Sequence, residues 1–283
     1  MTTLERRARR IVLLGHPVAH SLSPVFQNAA IAAAGIAAHY EAVDVTPEAF
    51  AAAFSSLRDA DGAGNVTVPH KAAAYAACDM RTAVADRVGA VNTFWVEDGR
   101  IIGDNTDVEG VRAAIAALGF ESLRRVRIAV LGAGGAAAAV LEAVRGEESA
   151  VRIWSRSAAR GEALLARSDV PLIALTSDSG AACEGADLVV NATPIGLSGE
   201  AFPVAPDRLA PSTRVLDLAY RRVGTTPWVT ACREAGLRTE DGLSMLVAQG
   251  AAAFRRWFGT EPDLDVMWEA VRQERDGSVV GGS

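Results

Sequence analysis

Short apolar runs alternate with alanine-rich stretches along almost the whole chain. The predicted strands, each an apolar run, are 11–15, 40–45, 64–68, 127–131, 151–154, 187–192 and 214–218. The predicted helices between them are 24–34, 47–57, 71–78, 108–118, 135–145, 157–167 and 226–235. This alternation is typical of an α/β protein with mostly parallel sheets.

Two passages depart from this alternation. Asp98-Gly99 stands between two apolar runs, which predicts a β-hairpin and therefore antiparallel strands at the edge of the first sheet. After residue 240 the strand pattern ends, and "SMLVAQGAAAFRRWFG" and "LDVMWEAVRQ" predict two closing helices. The tail after Gln273 is polar and rich in glycine, so we expect it to be disordered.

The order of these elements predicts two domains with an interdomain cleft. A chain of 283 residues is long enough for two ordinary domains. We assign residues 1–107 and 240–283 to a discontinuous, mainly parallel α/β domain, and residues 108–239 to a Rossmann-type, doubly wound domain. The closing helices would return to the first domain, and hinge closure of the cleft would expel water.

Composition argues against several classes of partner. The formal net charge is −6, with 34 acidic and 28 basic residues, so no broad basic face is expected for nucleic acid or an anionic membrane. Cys78, Cys183 and Cys232 are scattered and odd in number, which favours a reducing cytoplasm over a disulfide framework. The basic N-terminus and "IVLLG" resemble the start of a signal peptide, but the apolar run is too short and predicts a strand instead.

The stretch "RIAVLGAGGAAAAVLEAV" predicts a strand, a tight turn and a helix in succession. Gly132, Gly134 and Ala137 occupy the dinucleotide fingerprint positions. Gly132 permits the turn, Gly134 lets backbone N–H groups approach a pyrophosphate, and Ala137 keeps helix and strand close. Glycines alone would equally mark a plain turn, but the strand and helix flanks favour a dinucleotide site.

The next predicted strand ends in "IWSRSAAR", without the acidic residue that usually holds the ribose of NAD. Ser155, Arg156, Ser157 and Arg160 stand there and suit a 2′-phosphate, so NADP is the predicted cofactor. The alternative is that both arginines are ordinary exposed residues at a helix start. Thr193, in "NATPIG", would line the nicotinamide side of the same crevice.

Polar segments follow the strands of the first domain, where strand ends gather in one crevice. They supply Ser21, Ser23, Thr67, Lys71, Asn92 and Asp107. This set suits a small polyhydroxylated ligand with one anionic group. Each member has a structural alternative: Ser23 before Pro24 is a good N-cap, and Thr67 is simply strand-forming. The four histidines lack a paired spacing, so we predict no metal site.

The chain resembles the shikimate dehydrogenase family over nearly its whole length. The motifs that carry the resemblance, in the family's order, are "GHPVAHSLSP", "GNVTVPHK", "GAVNT", "GDNTD", "GAGGAA", "NAT" followed by "GL", and "DGLSMLVAQGA". The resemblance implies a substrate domain, an NADP domain and reversible reduction of 3-dehydroshikimate to shikimate in the cytoplasm. It also implies a role in chorismate and aromatic amino acid biosynthesis, a small-molecule substrate, and a monomer or homodimer.

The resemblance also implies roles for individual residues. Lys71 and Asp107 match the family's catalytic pair. Matches to its substrate contacts are Ser21, Ser23, Thr67, Asn92, Asp107, Tyr220 and Gln249. Matches to its cofactor contacts are Gly132, Ala133, Gly134, Gly135, Ala136, Ala137, Ser155, Arg156, Ser157, Arg160, Thr193, Leu218 and Gly242.

Three segments depart from the family pattern, and two other functions stay open. The departures are Gln27 in place of histidine, "SRS" in place of "NRT", and Arg222 in place of a proline after Tyr220. One open alternative is a dehydrogenase for quinate or an amino-substituted shikimate, possibly with NAD. The other is a catalytically silent NADP-binding regulatory module, although Lys71 and Asp107 favour catalysis because a sensor needs no proton donor.

Overall fold

Two six-stranded sheets organise the fold. The structure is a computed structural model that describes residues 10–176, 178–197 and 199–280. Contacts divide these residues into unit 1, up to Thr106 and from Gln249 onward, and unit 2, from Asp107 to Ala248. The roles of substrate and cofactor domain remain predictions. The basic segment before Arg10 lies outside the described residues.

Unit 1 holds a mixed sheet with helices around it. Its strands are β1 (Arg10–Gly15), β2 (His39–Asp44), β3 (Ala63–Val66), β4 (Met80–Arg81), β5 (Thr93–Glu97) and β6 (Arg100–Asp104). Its first helices are α1 (Ser23–Ala33), α2 (Phe50–Asp59), α3 (Lys71–Ala77) and α4 (Ala83–Val88). The strand order is β2-β1-β3-β5-β6-β4. β1 is parallel to β2 and β3, whereas β5 is antiparallel to both β3 and β6.

The strands of unit 1 are held by an apolar core under the sheet. Phe50 and Phe54 of α2 stack with ring centroids 5.2 Å apart, and Phe54 meets Phe94 of β5 edge-on at 4.9 Å. Val12 of β1 and Ile101 of β6 are buried in the same cluster. Because apolar burial stabilises roughly in proportion to area, this core fixes the strand ends that carry the polar residues.

Unit 2 holds a fully parallel sheet of the doubly wound type. Its strands are β7 (Arg127–Leu131), β8 (Ala150–Trp154), β9 (Leu172–Leu175), β10 (Leu188–Asn191), β11 (Arg214–Asp217) and β12 (Arg238–Glu240). Its helices are α5 (Asp107–Ala117), α6 (Gly135–Ala143), α7 (Ala158–Ala166), α8 (Ser179–Cys183), a 3-10 turn (Pro206–Arg208) and α9 (Pro227–Glu234). The strand order, β12-β11-β10-β7-β8-β9, is that of a Rossmann domain, with the switch point between β7 and β10.

Two long helices close the chain: α10 (Gly242–Phe258) and α11 (Leu264–Val280). α11 packs on α1 and buries Met267 and Val271, which lie one turn apart. The prediction of a disordered tail after Gln273 is therefore wrong up to Val280, because the helix continues through the polar residues. Within the described parts of the chain, no helix is long and apolar enough to cross a membrane.

All the predicted strands and helices are confirmed within a few residues. Apart from β2, the strands that form the edges of the two sheets were not predicted correctly. The Asp98-Gly99 hairpin is confirmed as β5 and β6. It does not form the outer edge, because the two-residue strand β4 pairs in parallel with β6 beyond it. β4, β9 and β12 were not predicted, since they are short and none of their described side chains is fully buried.

Candidate active site

The turn after β1 carries the two predicted serines. Ser21 Oγ accepts a hydrogen bond from Ser23 N at 3.2 Å, and Ser23 is buried. Interpreting Ser23 as an N-cap is wrong, because Leu22 holds the cap position and α1 already includes Ser23. Within residues 10–176, 178–197 and 199–280, no group pairs with the Ser23 hydroxyl, which leaves it able to bind a ligand.

The loop after β3 brings Thr67 and Lys71 to the same edge of the sheet. Thr67 N donates to Leu14 O at 2.8 Å, which ties the loop to β1. His70 stacks on Phe50 at 4.6 Å, and its Nε2 lies 2.6 Å from a backbone carbonyl oxygen, that of Val45. The buried imidazole therefore anchors the turn, and Lys71 follows it as the half-buried first residue of α3.

Asn92 and Gln249 meet in a buried polar cluster around Thr106. Thr106 N donates to Asn92 Oδ1 at 2.7 Å, and Asn92 Nδ2 donates to Thr106 Oγ1 at 3.0 Å. Asn92 Nδ2 also lies 3.3 Å from Gln249 Oε1. The structure thus brings together two predicted substrate residues that are separated by most of the chain.

A second layer, which sequence reasoning missed, supports this cluster. Asn65 Nδ2 donates to Asn92 O at 3.1 Å, and the buried Tyr40 hydroxyl donates to Asn65 Oδ1 at 2.9 Å. Arg256 Nε donates to the buried carboxylate of Asp104 at 3.0 Å, which links α10 to the end of β6. Asn65 lies inside the quoted motif "GNVTVPHK", so the polar residue in a buried strand was the available signal.

Asp107 directly follows this cluster in the chain. It is the first residue of α5, it belongs to unit 2, and only 3% of it is exposed. Lys71 belongs to unit 1. The pairing of these two residues therefore stays a prediction. Among the described residues, no three His, Cys, Asp or Glu side chains are grouped as metal ligands.

In unit 2 the glycine-rich turn joins β7 to α6. Gly132 has φ +125°, and a Cβ there would lie 2.7 Å from Ala192 O, so only glycine fits. Gly134 is the N-cap, and a Cβ there would meet nothing within 4 Å. The fold therefore leaves open space at Gly134, at the N-terminus of α6, where the free backbone N–H groups suit a phosphate. The neighbouring predicted contacts are Ala133, Gly135, Ala136 and the buried Ala137.

The predicted 2′-phosphate residues surround the start of α7. Ser157 caps this helix, since its Oγ accepts a hydrogen bond from Arg160 N at 3.4 Å. Ser155 Oγ accepts from Ser157 N at 3.3 Å. Arg156 and Arg160 are exposed, and no acidic partner is found for either guanidinium in the described parts of the chain. Both cations thus stay available to an anion.

The remaining predicted residues of unit 2 follow β10 and β11. Thr193 Oγ1 donates to Asn191 Oδ1 at 2.6 Å. Leu218 N donates to Asn191 O at 3.0 Å, and a Cβ on Gly242 would lie 2.8 Å from the Leu218 carbonyl carbon. Tyr220 is half-buried two residues further along. Thr193, Leu218 and Gly242 therefore share one end of the sheet.

A buried carboxylate, which sequence reasoning missed, lies between these loops. Asp217 Oδ1 accepts hydrogen bonds from Asn191 Nδ2 at 2.9 Å and from Ala219 N at 3.1 Å, and Oδ2 accepts from Thr226 Oγ1 at 2.6 Å. Burial raises the pKa of Asp217 to about 6, although these three donors lower it. The position of Asp217 at the end of a predicted strand was the only available signal.

Comparison with known proteins gives matches along nine tenths of the chain. Residues 13–94 match the family model described as the shikimate dehydrogenase substrate binding domain, and residues 242–272 match the shikimate 5′-dehydrogenase C-terminal domain. The NADP(+) shikimate dehydrogenase of Methylocella silvestris is 42% identical over 263 residues, 91% of this chain and 93% of the relative.

Two solved structures share the fold. The shikimate dehydrogenase of Aquifex aeolicus superposes with a TM-score of 0.88 at 33% identity, covering 94% of this chain and 98% of the other. The shikimate 5-dehydrogenase of Thermus thermophilus, in complex with NADP(H) and shikimate, gives a TM-score of 0.85 at 38% identity, covering 94% and 99%. Since such identity extends over nine tenths of each chain, this chain belongs to the shikimate dehydrogenase family.

Proposed function

We propose that this chain is an NADP-dependent oxidoreductase that interconverts shikimate and 3-dehydroshikimate. The observation that carries the proposal is the 42% identity, over 91% of the chain, to a protein named for that activity. This activity would serve the biosynthesis of chorismate and aromatic amino acids. The physiological direction we propose is reduction of 3-dehydroshikimate.

The residues of unit 2 fit NADP. The space in front of Gly134 admits a pyrophosphate against the start of α6. Arg156 and Arg160 offer guanidinium groups to a 2′-phosphate, with Ser155 and Ser157 beside them. Thr193, Leu218 and Gly242 would lie along the nicotinamide end. When bound, NADPH supplies the hydride that reduces the ketone.

The residues of unit 1 fit a hydroxylated ring with one carboxylate. We assign the ring carboxylate to the hydroxyls of Ser21 and Ser23, since neutral donors bind it without a second cation near Lys71. Thr67, Asn92 and Gln249 would pair with the ring hydroxyls, and Tyr220 of unit 2 would add a further contact. A polar group left unpaired in such a site costs about 1–3 kcal/mol, which is how the site would reject rings with a different hydroxyl pattern.

Lys71 and Asp107 are the proposed catalytic pair. Hydride addition leaves negative charge on the ketone oxygen, so a positioned proton donor is needed. Lys71 Nζ donates this proton in reduction and accepts it in oxidation. The Asp107 carboxylate orients the amine and binds a ring hydroxyl. His70 takes no part, because its ring is buried against Phe50.

A steady-state assay tests this proposal. Shikimate and quinate are each offered with NADP⁺ and with NAD⁺, and cofactor reduction is followed by absorbance. We expect the highest kcat/KM with shikimate and NADP⁺. A strong preference for quinate with NAD⁺ would instead identify the related dehydrogenase, and NADP⁺ binding without oxidation of either ring would identify a silent regulatory module.

A further inference from the structure

Asp217 is a fully buried carboxylate whose hydrogen-bond partners are all neutral groups. It ends β11 and is paired in register with Asn191, which ends β10, so both side chains leave the sheet at the same level. Both residues are completely buried. In the described parts of the chain no cation pairs with Asp217, and Asp241, whose charge also raises the pKa of Asp217, has the same sign.

One carboxylate holds the loop after β11 at both of its ends. Ala219 N, at the start of the loop, donates to Oδ1, and Thr226 Oγ1, at its far end, donates to Oδ2. Thr226 also caps α9 by accepting a hydrogen bond from Val229 N at 3.4 Å. Both ends of the loop 218–226, which includes Leu218 and Tyr220, are thus hydrogen-bonded to the Asp217 carboxylate.

The same carboxylate reaches the loop after β10 through Asn191. Asn191 Nδ2 donates both to Asp217 and to Ile195 O at 3.2 Å, while Asn191 Oδ1 accepts from Thr193 N at 3.0 Å. The orientation of the Asn191 amide follows from this, because only its NH₂ side can face the carboxylate. Asp217 therefore acts together with Ile195 O to hold the Asn191 amide in the orientation that binds Thr193.

A carboxylate at this fully buried position carries a large free-energy cost. Burying a charge without a cation costs far more than burying a neutral amide. An asparagine would keep both hydrogen bonds to Oδ1 and donate to Thr226 Oγ1. The three hydrogen-bond donors therefore offset part of the cost of burying the Asp217 carboxylate, and pairing of the strands alone does not require a charge here. The loops held by these hydrogen bonds carry three of the predicted ligand contacts.

We propose that Asp217 is a positioning residue for the reaction, which fixes the loops of Thr193, Leu218 and Tyr220 against the nicotinamide end of NADP. The inference rests on the proposed function. It assigns to Asp217 no contact with the substrate or the cofactor. Its effect is transmitted by the hydrogen bonds to Asn191, Ala219 and Thr226.

Calorimetric titration with two ligands separates positioning from general damage. The ligands are NADP⁺ and adenosine 2′,5′-bisphosphate, which carries the 2′-phosphate but lacks the nicotinamide. We expect Asp217→Ala to weaken NADP⁺ binding by at least about tenfold and to leave the bisphosphate within about twofold of wild type. Asp217→Asn should restore NADP⁺ affinity to within about threefold. Equal losses for the two ligands, or none, would overturn the inference.

A second pair of variants keeps the test decisive if Asp217→Ala fails to fold. Thr226→Val removes the donor to Oδ2, and Thr226→Ser retains it. Thr213→Val is the matched control, because the buried Thr213 hydroxyl donates to Ala186 O at 2.8 Å at the opposite end of β11. We expect only Thr226→Val to weaken NADP⁺ selectively. Equal behaviour of Thr226→Val and Thr213→Val would show a purely structural role.

Hydrogen exchange of the free protein gives a readout independent of activity. Peptides covering 192–197 and 218–226 should exchange faster in Thr226→Val than in wild type, while Thr213→Val leaves both unchanged. Unchanged exchange in Thr226→Val would contradict the inference. Failure of the wild type to bind NADP⁺ would instead refute the proposed function, so the two failures are distinguishable.

Discussion

In unit 1 the predicted substrate residue Asn92 is hydrogen-bonded to neutral amide and hydroxyl groups of Asn65 and Thr106, whereas in unit 2 the loops after β10 and β11 are held by a buried carboxylate. Asn92 is held by Asn65 and Thr106 without any charge in the contact. Asp217 is held by three neutral donors and carries the charge itself. Both arrangements sit at strand ends, so the topology does not account for the difference.

The two kinds of support respond differently to changes in pH and in charge. Amides and hydroxyls have no ionised form in the working range of pH, so the hydrogen bonds of Asn92 with Asn65 and Thr106 do not change with pH. The support of the unit 2 loops does change, because burial raises the pKa of Asp217 to about 6. The comparison therefore predicts opposite responses when charge is added to one unit and removed from the other.

The largest expected effect separates the chemistry proposed for unit 1 from the cofactor binding proposed for unit 2. Lys71→Met keeps the aliphatic stem and removes the amine, so we expect kcat to fall by about 10²-fold or more, as for loss of a general acid. NADP⁺ affinity should be unchanged, because all the predicted cofactor residues lie in unit 2. Calorimetry and steady-state kinetics check both parts, and near-normal turnover would reject the role of Lys71.

The second prediction concerns stability: a negative charge introduced at Asn92 should destabilise the folded protein. Asn92→Asp places a carboxylate oxygen opposite Gln249 Oε1, which now lies 3.3 Å from the amide nitrogen. We expect the free energy of unfolding at pH 8 to fall by about 3 kcal/mol or more, since the new carboxylate loses its solvation on burial and cannot replace the hydrogen bonds that Asn92 Nδ2 donates. Urea denaturation measures this. Wild-type stability of Asn92→Asp would mean that unit 1 tolerates charge as well as unit 2 does.

The reciprocal change in unit 2 should have the opposite sign. The raised pKa of Asp217 means that folding favours its protonated form, so its contribution to stability is full below pH 4 and is lost as pH rises through about 6. Asp217→Asn removes this loss. Between pH 4 and pH 7 the variant should therefore gain about 3 kcal/mol relative to wild type. A constant difference across this range would show that folding does not raise the pKa of Asp217.

A smaller effect concerns the outer end of the predicted cofactor site. Arg156→Ala should raise KM for NADPH by about tenfold and leave KM for NADH nearly unchanged, because only NADPH carries a 2′-phosphate. Arg167→Ala is the matched control, since Arg167 is exposed at the opposite end of α7. Equal losses with the two cofactors would contradict the 2′-phosphate role of Arg156.

The sequence patterns were sufficient for the parts of this fold that local chemistry determines. The apolar run of β7 and the turn at Gly132 and Gly134 predict the phosphate loop, because the strand, the turn and the helix are each encoded within a few residues. The edge strands β4 and β12 were missed, since neighbouring strands rather than apolar periodicity hold them in the sheet.

The supporting layers of the site were missed for a different reason. The contact between Asn191 and Asp217 depends on the register of β10 against β11, and the return of Thr226 depends on the path of the loop. The contact between Asn92 and Gln249 joins residues from distant parts of the chain. Such partners are set by tertiary structure, so a single sequence predicts the residue types at strand ends but not their pairing.

The smallest expected effect concerns Gln27, a buried amide of unit 1. Gln27 is fully buried; its Nε2 donates to Gly250 O at 2.9 Å, while its Oε1 has no hydrogen-bond partner within the described residues. Gln27→Met loses a hydrogen bond worth about 1 kcal/mol and removes an unpaired carbonyl oxygen whose burial costs about 1–3 kcal/mol. We therefore expect the urea midpoint to stay the same or rise slightly. A loss above about 2 kcal/mol would mean that Oε1 has a hydrogen-bond partner in solution, such as a buried water molecule.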